Sequence, residues 1–143
     1  MRRTFLQLLA LAMLTGPALG PAMAAEPVKV VYHLTEGLDQ ASRAMSNIRN
    51  HLRAEPETKI VVVANGDGIK FLLAGAAERN GRPFDAAVAA LAGQGVDFRL
   101  CSNTLTAHDI QVSRVLPGVK LVTSGVAEVA RLQAREGYAY LRP

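Results

Sequence analysis

The sequence predicts an α/β fold, three-layer α/β/α with a mainly parallel sheet of about five strands. Three observations lead there. Segments whose apolar residues run together or alternate at period two are interleaved along the chain with segments whose apolar residues recur at three- and four-residue steps. Lys59 to Ala64 (KIVVVA) is an unbroken apolar run, as a parallel strand covered on both faces requires. At 143 residues, with 50% of them hydrophobic, the chain can bury one sizeable core, and no linker divides it, so residues 25–143 are expected to form a single domain.

Residues 1–24 stand apart from that pattern. Met1-Arg2-Arg3 is a positive start, Phe5 to Leu14 is a short apolar run, and Ala22-Met23-Ala24 fits an A-x-A cleavage site. The run is shorter than the roughly 20 residues that span a bilayer. A cleaved export signal is expected, with Ala25 beginning the mature chain, a periplasmic or otherwise exported location, and no membrane attachment after cleavage. Arg2 to Gln7 (RRTFLQ) follows the twin-arginine pattern R-R-x-F-L-K except at its last residue, and an ordinary Sec signal fits equally well. Cleavage lowers the net charge from +4 to +2, with 14 basic and 12 acidic residues left. Arg43, Arg49 and Arg53 do not form one helical stripe, so a nucleic-acid partner is not expected.

The elements then follow in order. Val28 to His33 (VKVVYH) is β-branched and strand-length, closed by Thr35-Glu36-Gly37. Leu38, Ala41, Met45, Ile48 and Leu52 lay one apolar stripe along a helix running from about Asp39 to Arg53, with Pro56 beyond its end. After the central strand, Asn65-Gly66-Asp67-Gly68 reads as a turn-forming loop. A helical segment is expected over Ile69 to Ala77, closed by Asn80-Gly81. Another follows from Pro83 and Phe84, with Phe84, Val88 and Leu91 on one face and Gly93 and Gly95 ending it. Val96 to Leu100 is the third strand. Asn103 is placed to cap the next helix, which must end before Pro117. Val119 to Thr123 is the fourth strand. Ser124 caps a last helix in which Val126, Val129, Ala130 and Gln133 share a face and Glu128 pairs with Arg131. Gly137 closes that helix before a short strand, Tyr138 to Leu141.

Ligands of open parallel sheets sit beyond the carboxyl ends of the strands. Those ends carry His33, then Asn65 with Gly66 and Gly68, then Cys101 with Ser102, Asn103 and Thr104, then Thr123 and Ser124. Cys101 is the only cysteine, so an exported chain has no intramolecular disulfide to make with it. At a strand-to-helix junction it meets the positive end of a helix dipole and unpaired N–H groups, which favour the thiolate, and a thiolate attacks disulfides or accepts sulfur. A buried structural cysteine is the competing reading. His33 is a candidate helper for the thiol, or a strand-end histidine bonded to a neighbouring carbonyl. His108, about two helical turns beyond Cys101, is out of reach of it, and His51 falls on the first helix. One cysteine and three histidines show no metal-ligand spacing, so neither a metal nor a cofactor is expected, a Cu or Zn ion bridging subunits being the residual alternative. The glycine loop lacks phosphate-loop spacing, and Ser124 has no acid-histidine pair beside it.

Five stretches carry a resemblance: VVYHL at Val30 to Leu34, VVVANGDG at Val61 to Gly68, GVDFRLCSNTL at Gly95 to Leu105, LPGV at Leu116 to Val119 and EGYAY at Glu136 to Tyr140. Together they make the chain, from about Val28 to Pro143, similar to the DsrE/DsrF-like family of sulfur-relay proteins, and most like an uncharacterised branch of it. The resemblance implies a persulfide carried on the cysteine after the third strand, here Cys101, and a homo-oligomer, trimer or hexamer, with a sulfur donor or acceptor protein as partner. His108-Asp109-Ile110 stands where family carriers often have a basic residue and a glycine ahead of an aliphatic one. Two functions are therefore carried forward: sulfur transfer on Cys101, as a carrier or sulfurtransferase, or a non-catalytic oligomeric module that binds a small ligand or protein and merely packs its cysteine.

Overall fold

Lys59 to Ala64 is the middle strand of a five-stranded sheet ordered β4-β3-β2-β1-β5, seen in a computed structural model that describes residues 25–143. The expected export signal lies outside the described residues. The strands are β1 (Lys29–Leu34), β2 (Lys59–Ala64), β3 (Asp97–Cys101), β4 (Lys120–Val122) and β5 (Ala139–Leu141). Every neighbouring pair is parallel, so the sheet is wholly rather than mainly parallel. Among the described residues no helix is long and apolar enough to cross a membrane.

Alternation along the strands divides the core. Val30, Tyr32, Leu34, Ile60, Val62, Ala64, Phe98 and Leu100 pack with α1 (Leu38–Ala54) and α2 (Phe84–Gly93) on one face. On the other, Val31, Val61 and Val63 meet Val129 and Leu132 of α4 (Gly125–Glu136). The stripe read on α1 is buried as expected, and Gln40 joins it at 1% exposure. That burial is tolerated because its Oε1 accepts the N–H groups of Thr35 and Glu36 at 2.9 and 2.8 Å, tying down the β1–α1 turn where Gly37 gives no side-chain cap.

Three expectations are corrected. Ile69 to Ala77 is helical only as far as Leu72, the end of a short 3-10 helix over Gly66–Leu72, and the chain leaves it extended at Leu73. Ile69, Phe71 and Leu72 are all buried, a spacing that a tight turn satisfies, and Gly75 at φ +87° ends any continuation. Ala77 instead bridges Pro83 across the Asn80-Gly81 turn. Asn103 is not a cap. Strand β3 runs one residue further than read, Cys101 pairs with Val122 and stands at the cap position of α3 (Ser102–Ala107), and Asn103 lies inside that helix. On α4 the buried face is Gly125, Val129 and Leu132, whereas Val126 is 60% exposed and Ala130 and Gln133 also face solvent. The neighbouring β3 presents charges rather than methyl groups, so the helix turns Glu128 toward it. The other signals on α4 are met: Ala127 N–H donates to Ser124 Oγ at 3.4 Å, Arg131 pairs with Glu128, and Gly137 closes the helix at φ +72°.

Candidate functional site

The carboxyl ends of β1, β2 and β3 and the start of α4 converge on Cys101. Its sulfur lies 3.7 Å from the carbonyl oxygen of Thr123, the residue that leads from β4 toward α4. The Asn103 N–H donates to the same carbonyl at 3.2 Å, locking the first turn of α3 to that loop.

The thiol is held below its ordinary ionisation range. Burial acts against the thiolate, and donors outweigh it: the Thr104 hydroxyl first, then the backbone N–H groups of Gly125, Thr104 and Asn103. The thiol therefore sits between two helix starts, that of α3 and that of α4. Thr104 is 9% exposed, and its Oγ1 also accepts the Gly66 N–H at 3.1 Å. One hydroxyl thus links the glycine loop to the sulfur. Gly66 owes its place to φ +55°, and Gly68 brings the loop against the end of β1.

His33 does not serve the thiol directly. Its Nε2 lies 2.6 Å from Asn65 Oδ1 and its Nδ1 lies 3.1 Å from the Tyr140 hydroxyl. Because Asn65 Oδ1 only accepts, Nε2 carries a proton, and in the neutral ring Nδ1 then accepts from Tyr140. Gly125 packs on the Asn65 side chain, so closely that a Cβ there would lie 2.9 Å from the Asn65 Cβ. The histidine is thereby separated from the sulfur by two residues, Asn65 and then Gly125. Ser124 is occupied in capping α4, Ser102 is half-buried with its carbonyl accepting the Thr106 hydroxyl, and Asn103 contributes backbone only. His108 and Asp109 are exposed beyond the end of α3, and His51 bonds Tyr32 on the other side of β1. Among the described residues no group of three or more His, Cys, Asp or Glu is gathered to hold a metal ion.

Gly125 and Tyr140 are the members of this site that strand ends do not point to. Tyr140 is brought to His33 by the β1–β5 pairing, in which Val31 stands opposite Tyr140. Only strand order supplies that neighbour. Gly125 had a local signal, a glycine directly after a capping serine.

Beside the thiol, α4 is fastened by charge. Arg99 pairs with Asp97 at 2.7 Å and with Glu128, and Glu128 pairs with Arg131 at 2.8 Å. The Arg131 hydrogen bond foremost, with Arg99 adding to it against the carboxylate's own desolvation, holds Glu128 at about 2. A folded value below the ordinary 4.5 contributes stability that is complete above that pH and is lost as pH falls through about 2. Solvent screens part of it. Urea unfolding at about pH 3 is expected to show this group contributing about 1 kcal/mol less than at neutral pH, and Glu128→Gln to flatten that part of the profile.

A family model described as the DsrE/DsrF-like family matches residues 9–143. Among solved structures, the protein of unknown function MTH1491 from Methanobacterium thermoautotrophicum is similar at 36% identity and a TM-score of 0.72, over 81% of this chain and 99% of that one. The YchN protein from E. coli is similar in fold, at 16% identity and a TM-score of 0.66, over 83% of this chain and 100% of that one. No curated protein matches the chain.

Proposed function

From a chain that belongs to the DsrE/DsrF-like family, a family linked to sulfur relay, we propose a sulfur-handling protein that carries sulfane sulfur as a persulfide on Cys101. The observation that carries this reading is the place of the Cys101 sulfur between the starts of α3 and α4, 3.7 Å from the Thr123 carbonyl oxygen, where Thr104, Gly125 and Asn103 favour the thiolate. They favour the charged sulfur both as nucleophile and as leaving group. In loading, the Cys101 thiolate attacks the outer sulfur of a donor persulfide. A sulfur–sulfur bond forms to Cys101, the donor's sulfur–sulfur bond breaks, and the donor leaves as a thiolate. In unloading, an acceptor thiolate takes the same outer sulfur and Cys101 leaves as the thiolate. No external oxidant enters either step. The partner is then a thiol-bearing donor or acceptor. A homo-oligomer of three or six copies and an exported location complete the proposal, the first by family analogy and the second from the sequence of residues 1–24.

A second reading is favoured by one number: Cys101 is only 5% exposed, as suits a packed cysteine in a binding module. Incubation of reduced protein with polysulfide, followed by mass measurement, tests the first. A gain of one sulfur atom that is absent in Cys101→Ser is expected. No gain, or a gain that survives that substitution, overturns it. Thiol labelling of the native protein near neutral pH separates the two readings further, since the packed cysteine reacts only after unfolding.

A further inference from the structure

The face of the sheet under α4 changes character between strands. Before β1 and β2 the helix meets Val31, Val61 and Val63, an apolar contact. Before β3 it meets Arg99, to which it offers Glu128 with Arg131 beside it, and Arg99 in turn shares Asp97 with Lys120 of β4. The central pair is well covered, with the Glu128 side chain 12% and the Arg99 side chain 16% exposed. Apolar side chains of similar volume hold two elements together as firmly as such a pair does, so stability alone does not account for it. What a charged fork supplies in addition is a fixed register.

That register bears on the cysteine. Arg99 and Cys101 stand two residues apart on β3 and therefore on the same face. Arg99 grips Asp97 through Nε and Nη2, at 3.2 and 2.7 Å, and reaches across to Glu128 through Nη1. On the helix side the Glu128 N–H donates to the Ser124 carbonyl at 3.0 Å, the bond that closes the first turn of α4. Gly125 lies inside that closed turn, two residues after Thr123, whose carbonyl oxygen is 3.7 Å from the Cys101 sulfur, and its N–H favours the thiolate there. A single side-chain pair thus joins the strand that carries the thiol to the helix turn that carries the donor.

We propose that Arg99 and Glu128 are positioning residues for the Cys101 thiolate, holding the first turn of α4 on β3 so that the Gly125 N–H stays on the sulfur. The inference rests on the reading of Cys101 as a working thiol. The charged groups on the elements around that thiol are Asp97 and Arg99 of β3, Lys120 of β4, and Glu128, Arg131, Arg135 and Glu136 of α4, while α3 carries none.

Substituting Glu128→Gln gives positioning and simple electrostatics opposite signs. Removal of a negative charge near a thiolate, with nothing moved, favours the thiolate and lowers its titration midpoint. Loss of the pin withdraws an N–H donor and raises it. The midpoint, followed by thiolate absorbance in the ultraviolet, is expected to move up in Glu128→Gln, with about threefold or more less thiolate at a fixed pH below it. Arg99→Lys keeps the charge but not the fork, and the same upward movement is expected there. Circular dichroism verifies folding, and Arg99→Lys carries the test if Glu128→Gln does not fold. A midpoint unchanged or lowered in the folded variant overturns the proposal. The titration needs no sulfur donor, so a protein that shows these shifts yet retains no sulfur from polysulfide defeats the carrier reading and leaves the positioning role standing.

Discussion

Gly68→Ala is expected to destabilise the protein by more than about 3 kcal/mol, or to prevent folding outright. A Cβ built at Gly68 lies 2.1 Å from the Leu34 carbonyl oxygen, 2.4 Å from its carbon and 2.7 Å from the Thr35 nitrogen. All three are backbone atoms at the end of β1, where no side chain can swing aside. The same Leu34 carbonyl accepts the Asn65 N–H at 3.0 Å, so retreat of the loop breaks the bond that seats it. Retreat also lifts Ile69, Phe71 and Leu72 from the core, each at 2% exposure or less. Urea unfolding measures the loss. Gly93→Ala is the matched control: it closes α2 with open space around it and is expected to be neutral or stabilising by up to about 1 kcal/mol. A Gly68→Ala protein as stable as the control would mean that the loop adjusts freely.

The contrast between these two glycines also shows how far the sequence could be read. Period told the architecture: the unbroken KIVVVA run is the middle strand, and the stripe on α1 is buried where the three- and four-residue steps put it. Ends of elements shifted by a residue, and that was enough to move Cys101 from a position after β3 to its last residue and to turn Asn103 from a cap into a helix interior. The 3-10 helix differs in its bounds from the helical segment expected over Ile69 to Ala77 because apolar residues at positions 69, 71 and 72 fit either period when the close approach of Gly68 to β1 is unseen. The outward Val126 and the inward, partly buried Glu128 of α4 escape the sequence for a related reason: which side of a helix is covered depends on what the strand beneath it offers, and Arg99 is that strand's contribution. At the site, Cys101, Asn65, Gly66 and Thr104 could be gathered from strand ends alone. Tyr140 beside His33 could not, because β5 returns to pair with β1 only through the sheet order.

Thr104→Val is expected to reduce the thiolate fraction of Cys101 about tenfold at a fixed pH below its midpoint, the largest change in thiol ionisation that one side chain outside the cysteine can make here. The hydroxyl is the foremost of the groups that favour the thiolate, ahead of the backbone N–H groups of Gly125, Thr104 and Asn103. A hydrogen bond to a charged group is worth about 1.5–3 kcal/mol, and valine keeps the shape while removing it. Reaction rate is expected to fall less than ionisation does, by a factor of about three, because a thiolate of higher basicity is also the stronger nucleophile. Titration by absorbance and the rate of alkylation therefore give different numbers, and their ratio is itself a check that the hydroxyl acts on charge. Valine also strands the Gly66 N–H, which donates to Thr104 Oγ1 at 3.1 Å, and an orphaned donor costs about 1–3 kcal/mol in stability. Thr104→Ser restores the hydroxyl and is expected to recover both the titration and most of the stability. Recovery of stability without the titration would assign Thr104 to the glycine loop alone and leave the helix starts to ionise Cys101.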